Sequence, residues 1–331
     1  MERLDHKIEK LFDPSFALNF IESKNSMQAG HVGPLAVTAL KKNVSERFYH
    51  VVIRYDSPPL AGHPIFCSAH SEERRENAFR ALTYIKNNLP SNERESTPIP
   101  LFYDETFRAF FYQGMDGNNI LQLLNRREAD LRGPLELLGT WLAELHQLPA
   151  GEEHNFNRHN SLIASVLPGP GHFLPKIEKR FPAYYNLVSQ LFEQFVSIEE
   201  ECAARASIIH GDLHPENVIV DKTNEHISII DYTDICVADP MRDLGSFIQQ
   251  LGFMGLGKRN KADIEAMQHW FLKAYETARK SAFTDTERKR IRLYQAWTAF
   301  RSTVYFLTKE PAEVREAQHA ITLSKQLAEK L

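Results

Sequence analysis

The sequence predicts an α+β fold of two lobes, a small β-rich N-terminal lobe and a larger helical C-terminal lobe. Three observations predict it. Residues 1–112 carry short apolar runs broken by turn residues, with one helical stretch among them. Across residues 118–331 apolar residues recur at helical spacing. Within that helical half sits one short apolar hairpin, Val218-Ile219-Val220 and Ile227 to Ile230, with polar residues crowded at both ends.

Length and charge narrow the function classes. The 331 residues suffice for two large lobes. There are 39 basic against 43 acidic residues, a net charge of −4. That balance gives no electrostatic case for nucleic acid or an anionic membrane surface. Cys67, Cys202 and Cys236 are far apart and form no Cys-x-x-Cys, which fits a reduced, cytoplasmic location. The start, MERLDHKIEK, is charged and leads into no long apolar run, so no signal peptide is expected. No apolar stretch approaches the roughly 20 residues of a membrane span.

In the N-terminal lobe, strands are expected at Phe16 to Ile21, Leu35 to Leu40, Phe48 to Tyr55 and Ile65 to Ala69. The turn residues Ser57 to Gly62 separate the last two. From Glu72 to Leu89 the pattern turns helical, with Phe79, Leu82 and Ile85 on one face. Pro98 to Tyr103 and Arg108 to Tyr112 read as a further strand pair. Residues 113–117 then connect to the C-terminal lobe, 118–331.

In that lobe, Leu135, Leu138, Trp141, Leu142 and Leu145 mark a helix ending at His146, a histidine that reads as packed in the core. Glu152 to Gly171 is polar with Pro and Gly and reads as a loop with room for a short helix. A helix from about Tyr184 to Glu200 leads to the hairpin. After it, Asp239-Pro240 reads as an N-cap and first helical position, with Asp243 in the first turn. Gly252 to Lys258 (GFMGLGK) satisfies Gly-x4-Gly-Lys. Arg259 stands where a phosphate loop needs Ser or Thr, so a mobile loop between helices is expected. Three helices finish the chain: Lys261 to Lys280, Asp285 to Thr308 with Asp285 as N-cap, and Ala312 to Lys330 after Pro311. Trp270, Tyr294, Trp297 and Tyr305 fit core positions of these helices; the other reading is the wall of an acceptor pocket.

The chemistry concentrates in Ser207 to Leu251, SIIHGDLHPENVIVDKTNEHISIIDYTDICVADPMRDLGSFIQQL. Asp221 to Asn224 is turn chemistry, and a tight hairpin returns the chain to its starting end. Asn217 and Asp231 are therefore expected side by side. Phosphoryl transfer from a nucleotide needs a carboxylate to take the acceptor's proton and hard oxygen ligands to hold magnesium. Asp212 suits the base, and Asn217 and Asp231 suit the metal. The spacing His-x-Asp-x4-Asn is that of the protein-kinase catalytic loop. A zinc pair of His210 and His214 is the weaker reading, because Gly211 and Pro215 argue against one regular helix and no third ligand is near in sequence.

HGDLHPENVIV followed by IIDYTDICVADPMRDLG resembles the aminoglycoside phosphotransferase and choline kinase family. The similarity is close from about Ile208 to Leu251 and looser from about Arg74 to His146. It implies a two-lobed, protein-kinase-like fold that phosphorylates a small-molecule hydroxyl with ATP and Mg²⁺. It implies Asp212 as catalytic base, Asn217 and Asp231 as metal ligands, and Asp243 as a brace for the catalytic loop. Residues 1–112 become the nucleotide-binding lobe and 113–117 the hinge, where Gln113 and Met115 would meet the adenine. Residues 118–331 become the lobe that carries the catalytic loop and acceptor site.

The nucleotide-gripping parts depart from the pattern. Gly-x-Gly-x-x-Gly is absent. The phosphate loop is either Lys41 to Arg47 or Ser23 to Gly33. In the first register the third strand, Ile65 to Ala69, lacks the expected Lys. In the second, Arg54 takes the Lys position, where a guanidinium can clamp phosphate oxygens, and Glu76 or else Glu73 is its helix partner. Arg54 and Glu76 also read as solvated surface charges.

The acceptor stays open among a sugar, an amino alcohol and an aminoglycoside. Two alternatives are an atypical protein kinase and a non-catalytic nucleotide-binding module. Against the first, Gly211 replaces the Arg of His-Arg-Asp, and Asp239-Pro240 follows Asp231 with no room for a long activation segment. Against the second stand the intact Asp212, Asn217 and Asp231.

Overall fold

The computed structural model describes residues 3–24, 33–60, 63–73, 75–90, 95–202 and 206–331. The chain opens with helices α1 (Leu4–Glu9) and α2 (Pro14–Lys24), then strands β1 (Ala36–Ser45), β2 (Phe48–Asp56) and β3 (Ile65–His70). Helix α3 (Glu76–Asn88) precedes β4 (Glu95–Ser96), β5 (Ile99–Asp104), β6 (Ala109–Gln113) and β7 (Asn118–Asn119). Helices α4 (Ile120–Leu124), α5 (Arg132–Leu145), α6 (Pro170–Arg180) and α7 (Pro182–Glu201) lead to β8 (Ser207–Ile209). The hairpin β9 (Val218–Val220) and β10 (Ile227–Ile229) is followed by β11 (Cys236–Ala238). Helices α8 (Met241–Gly255), α9 (Lys261–Ala278), α10 (Asp285–Thr308) and α11 (Val314–Ala328) complete the chain. No helix among the described residues is long and apolar enough to cross a membrane.

Contacts group the chain into two compact units, Met1–Asn119 with Val218–Thr233, and Ile120–Asn217 with Asp234–Leu331. The central hairpin therefore groups with the N-terminal strands, whereas the sequence-based boundary put it with residues 118–331. Its own sheet explains why. β10 pairs with β4 and β9 pairs with β7, giving the order β4-β10-β9-β7.

The first unit is built on an antiparallel sheet of order β1-β2-β3-β6-β5. Tyr49, Val51, Ile53 and Tyr55 alternate along β2 and are buried with Ile65, Cys67 and Ala69 of β3 against Ile8, Leu11, Ala17 and Ile21 of the N-terminal segment. Period-2 alternation turns the intervening residues to the opposite face. There His50 pairs with His70, Val52 with Ser68, and Arg54 with Phe66.

The strand order bears on the two registers considered for the nucleotide-gripping strands. Lys41 to Arg47 lies at the end of β1 and in its turn, where Ser45 pairs with Phe48. Ile65–His70 is the third strand of the sheet, and Arg54 stands on the second, Phe48–Asp56. Of the other loop, Ser23 to Gly33, residues 25–32 lie outside the described residues.

Three expectations are corrected. Phe16 to Ile21 is helical, not a strand: the Asp13 carboxylate accepts the Phe16 N–H at 2.7 Å, Pro14 opens the helix, and the buried Ala17 and Ile21 lie four residues apart. Gly252 to Gly255 continue helix α8 rather than forming a loop. A Cβ on Gly255 would stand 2.3 Å from the Ile264 side chain, so glycine lets α9 pack against the helix end. The N-cap of α10 is Thr284, whose hydroxyl accepts the Glu287 N–H at 3.2 Å, and Asp285 is the first helical residue.

Candidate functional site

The helical unit carries the catalytic-loop candidates. Strand β8 pairs with β11, His210 follows it, and Gly211 turns the chain with φ +83°. A Cβ there would meet the Asp234 carbonyl oxygen at 2.2 Å, so no other residue fits this turn. Asp243, fully buried in the first turn of α8, accepts the backbone N–H of His210 at 2.7 Å and of Gly211 at 2.9 Å. His146 Nε2 lies 3.2 Å from the same carboxylate and its Nδ1 lies 2.9 Å from the Tyr275 hydroxyl. Burial alone would raise the Asp243 carboxyl. The His146 contact, the nearby His210 and the Gly211 N–H outweigh it and hold it below its ordinary value.

Asp212 emerges from this clamped loop with its side chain 46% exposed, and His214 Nε2 lies 3.7 Å from it. Asn217 donates its Nδ2–H to the Asp212 carbonyl at 2.9 Å. That bond uses the amide nitrogen and leaves the amide oxygen for another partner. Sequence reasoning missed Asn157 and Asn160, which both donate to the Asp234 carboxylate, and Arg242, which donates to the Asn160 carbonyl. The two asparagines lie more than forty residues upstream of Asp212 in a segment without pattern, and Arg242 lies inside the quoted motif, where only its contact to Asn160 distinguishes it.

In the first unit, Val218 pairs with Ile229, so the ladder ends just after Asn217 in sequence and two residues before Asp231. Asp231 takes φ +64°, which is uncommon for a non-glycine residue and frequent at functional positions. Its carboxylate accepts the Thr233 hydroxyl. Thr233 Oγ1 in turn accepts from Arg75 Nη1 at 3.2 Å, and Arg75 Nη2 lies 3.3 Å from His50 Nε2. Arg75 is only 6% exposed and its Nε has no hydrogen-bond partner among the described residues. The His50 and His70 rings lie 4.7 Å apart, tilted by 59°, on the same sheet face. Burial pushes the His50 imidazole down to about 4, and Lys41, Arg75 and His70 push the same way against Asp231. Arg75 Nη1 also pairs with Glu73 at 3.3 Å, so this buried cation is linked to Asp231 through the Thr233 hydroxyl. The sequence signal, one arginine among charged residues at a helix start, was too ordinary to find it.

Arg54 is committed elsewhere. It makes a bidentate pair with Asp56 and a second pair, at 2.9 Å, with Asp116, which also binds Lys222 at 2.9 Å. Glu76 opens α3 and is not among its partners. Gln113 and Met115 line a cavity of about 550 Å³ with Asp116, Pro98, Lys222 and Ser228, and Gln113 Nε2 donates to the His63 carbonyl at 3.2 Å. Gly114 lies against the Phe66 ring, which stacks on Tyr112.

A cavity of about 390 Å³ in the helical unit is lined by Asp212, His214, Trp297, Arg301 and Tyr305. Of the four aromatics singled out, Trp297 and Tyr305 line it. Tyr294 is buried and donates to Glu199 at 2.9 Å, while Trp270 packs near Arg132. Among the described residues no group of three or more His, Cys, Asp or Glu converges to hold a metal.

The model of the phosphotransferase enzyme family, APH, matches residues 64–283. A segment of 38 residues is 42% identical to the uncharacterized protein YcbJ of Bacillus subtilis (strain 168), spanning 12% of this chain and 12% of that protein. The structure is similar to a choline/ethanolamine kinase family protein from Mesorhizobium loti, with TM-score 0.61 and 16% identity, covering 98% of this chain and 94% of that one. It is also similar to a spectinomycin phosphotransferase in complex with ADP and spectinomycin, with TM-score 0.58 and 12% identity, covering 96% and 97%. At such identities these two likenesses speak to the fold.

Proposed function

The chain belongs to the phosphotransferase enzyme family and is a small-molecule kinase, and on that premise we propose that it transfers the γ-phosphoryl group of ATP to an acceptor hydroxyl held beside Asp212. The observation that carries this is the placement of Asp212: on a loop clamped by Asp243 and at the wall of a ligand-sized cavity. The Asp212 carboxylate orients the hydroxyl and takes its proton as the oxygen bonds to phosphorus. The bond to the β–γ bridging oxygen breaks, and its electron pair leaves with ADP.

Asn217 and Asp231 suit a magnesium ion. Asn217 has a side-chain oxygen left over from its Nδ2 bond, and Asp231 offers a carboxylate held at a fixed angle by Thr233. Both are hard oxygen donors. A magnesium ion there would neutralise charge on the phosphates. Arg75 supplies the cation beside the phosphates that the third strand lacks, with the neutral His50 ring against its guanidinium. Residues 113–117 act as the hinge, with Gln113 and Met115 beside the nucleotide base.

The separation between Asp231 and α8 opposes a protein kinase. A 3-10 turn and β11 fill it, leaving no segment for peptide docking. The test is ADP release from Mg·ATP by the purified chain across sugars, amino alcohols, aminoglycosides and hydroxy acids. Phosphorylation of one of them, lost in Asp212→Asn, is the expected outcome. Turnover that survives Asp212→Asn overturns the assignment.

A further inference from the structure

We propose that the acceptor is a small hydroxyl compound bearing an oxyanion, a carboxylate or a phosphate monoester, and that Arg301 binds that group in the cavity beside Asp212. This rests on the phosphotransferase reading above and names its acceptor class.

The cavity lies within the helical unit, between the Asp212 loop and helices α8 and α10. Arg301 stands on α10 one turn from Trp297 and one turn from Tyr305, so the three share a face. Its charge has no directly bonded partner. Among the described residues Arg301 makes no hydrogen bond and no ion pair, although it is largely withdrawn from solvent. Burial and the neighbouring Arg242 push its guanidinium below the ordinary arginine range, while Asp212 and Asp234 hold it up. A second, acceptor-only group in the cavity would relieve that.

The other groups on the wall do not supply one. Asp212 is the proposed base. Glu216 is 49% exposed and faces His214 at 3.8 Å. The neutral polar groups satisfy each other: Ser246 with Thr298 at 2.9 Å, and Gln250 donating to Ser302 at 3.2 Å. The groups left over are donors. Arg242 Nη2 and the Trp297 indole N–H, both on residues of this wall, have no hydrogen-bond partner among the described residues. An oxyanion accepts only, and a guanidinium meets it in a planar fork. A cationic acceptor would instead place an ammonium beside two guanidinium groups, against like charge in a partly desolvated site.

The experiment is ADP release with three sets of hydroxyl compounds matched in size: hydroxy acids and sugar acids, sugar phosphates, and amino alcohols with aminoglycosides. It is run on the wild-type chain, Arg301→Met and Arg301→Lys. Nucleotide affinity and thermal unfolding are measured for each variant to show that it is folded. The expected result is turnover confined to one of the two anionic sets, which also tells carboxylate from phosphate. Arg301→Met should raise the acceptor KM at least tenfold with ATP affinity within twofold of wild type, and Arg301→Lys should recover part of the loss. Preference for cationic acceptors overturns the proposal. So does an Arg301→Met defect carried in ATP affinity and not in acceptor KM. Slow ATP hydrolysis that depends on Asp212, with no anionic acceptor used, overturns this proposal and leaves the phosphotransferase reading intact. Absence of any Asp212-dependent ADP release overturns both.

Discussion

Asp243 accepts the backbone N–H of Gly211 at 2.9 Å, and that single bond joins the start of helix α8 to the turn from which Asp212 projects. With the His210 N–H on its other oxygen, the carboxylate fixes two consecutive peptide groups at once. Asp243→Ala leaves both N–H groups buried without acceptors and frees His146 Nε2. Hydrogen bonds to a charged group contribute about 1.5–3 kcal/mol each and are not additive, so a loss of about 3 kcal/mol in urea unfolding is expected. Asp243→Asn keeps the shape and retains one acceptor oxygen, and should lose less. Equal stability of both variants to wild type would show that the loop is held by other contacts.

Arg75, and not Arg54, should govern the affinity for ATP. Arg75 sits on the face with His50 and His70 and reaches Asp231 through Thr233, whereas Arg54 is consumed by Asp56 and Asp116. Arg75→Ala should raise the KM for ATP at least tenfold, about 1.4 kcal/mol. Arg54→Ala should change it by less than threefold. The reverse order would return the phosphate-binding role to the second strand.

What the sequence made legible is what lies close along the chain. His210, Asp212, Asn217 and Asp231 fall within 22 residues at the two ends of one short hairpin, and spacing alone groups them. The five-stranded sheet was readable for the same reason, since β2, β3, β5 and β6 each alternate or cluster locally. Arg75 was not, because its meaning depends on His50 and Thr233, which approach it only through tertiary packing. Arg301 lies 89 residues beyond Asp212 in a helix rich in apolar and basic residues, where nothing local distinguishes it. The strand expected at Phe16 to Ile21 failed through a competing signal. Asp13-Pro14 starts a helix, and that cap outweighs a short apolar run.

Mild acid should destabilise the chain through His50. Its folded value of about 4 lies below the ordinary 6.5, because burial disfavours the charged ring. Between these values the unfolded chain binds the proton and the folded chain does not. The contribution is therefore full above pH 6.5 and declines as pH falls toward 4. Urea midpoints measured from pH 7.5 to 4.5 should fall more steeply for wild type than for His50→Gln. Parallel curves would mean that His50 is not the titrating group.

The two central carboxylates should separate by substitution. Asp212 lines the cavity in the helical unit and is expected to touch the acceptor hydroxyl, while Asp231 is expected to hold the metal. Asp212→Asn keeps the shape and removes the base. It should leave Mg·ATP affinity near wild type and cut turnover by roughly 10²–10⁴, the range for a positioned acid or base. Asp231→Asn removes a negative charge from beside a divalent ion, whose charge dominates such a site. It should weaken magnesium-dependent nucleotide binding as well as turnover, and lose little of the binding measured without magnesium. The measurement is nucleotide affinity with and without magnesium for both variants, together with ADP release on a working acceptor. If Asp212→Asn abolishes Mg·ATP binding while Asp231→Asn spares both binding and turnover, the two roles are reversed. If both variants bind and turn over like wild type, the chemistry does not run through this hairpin at all.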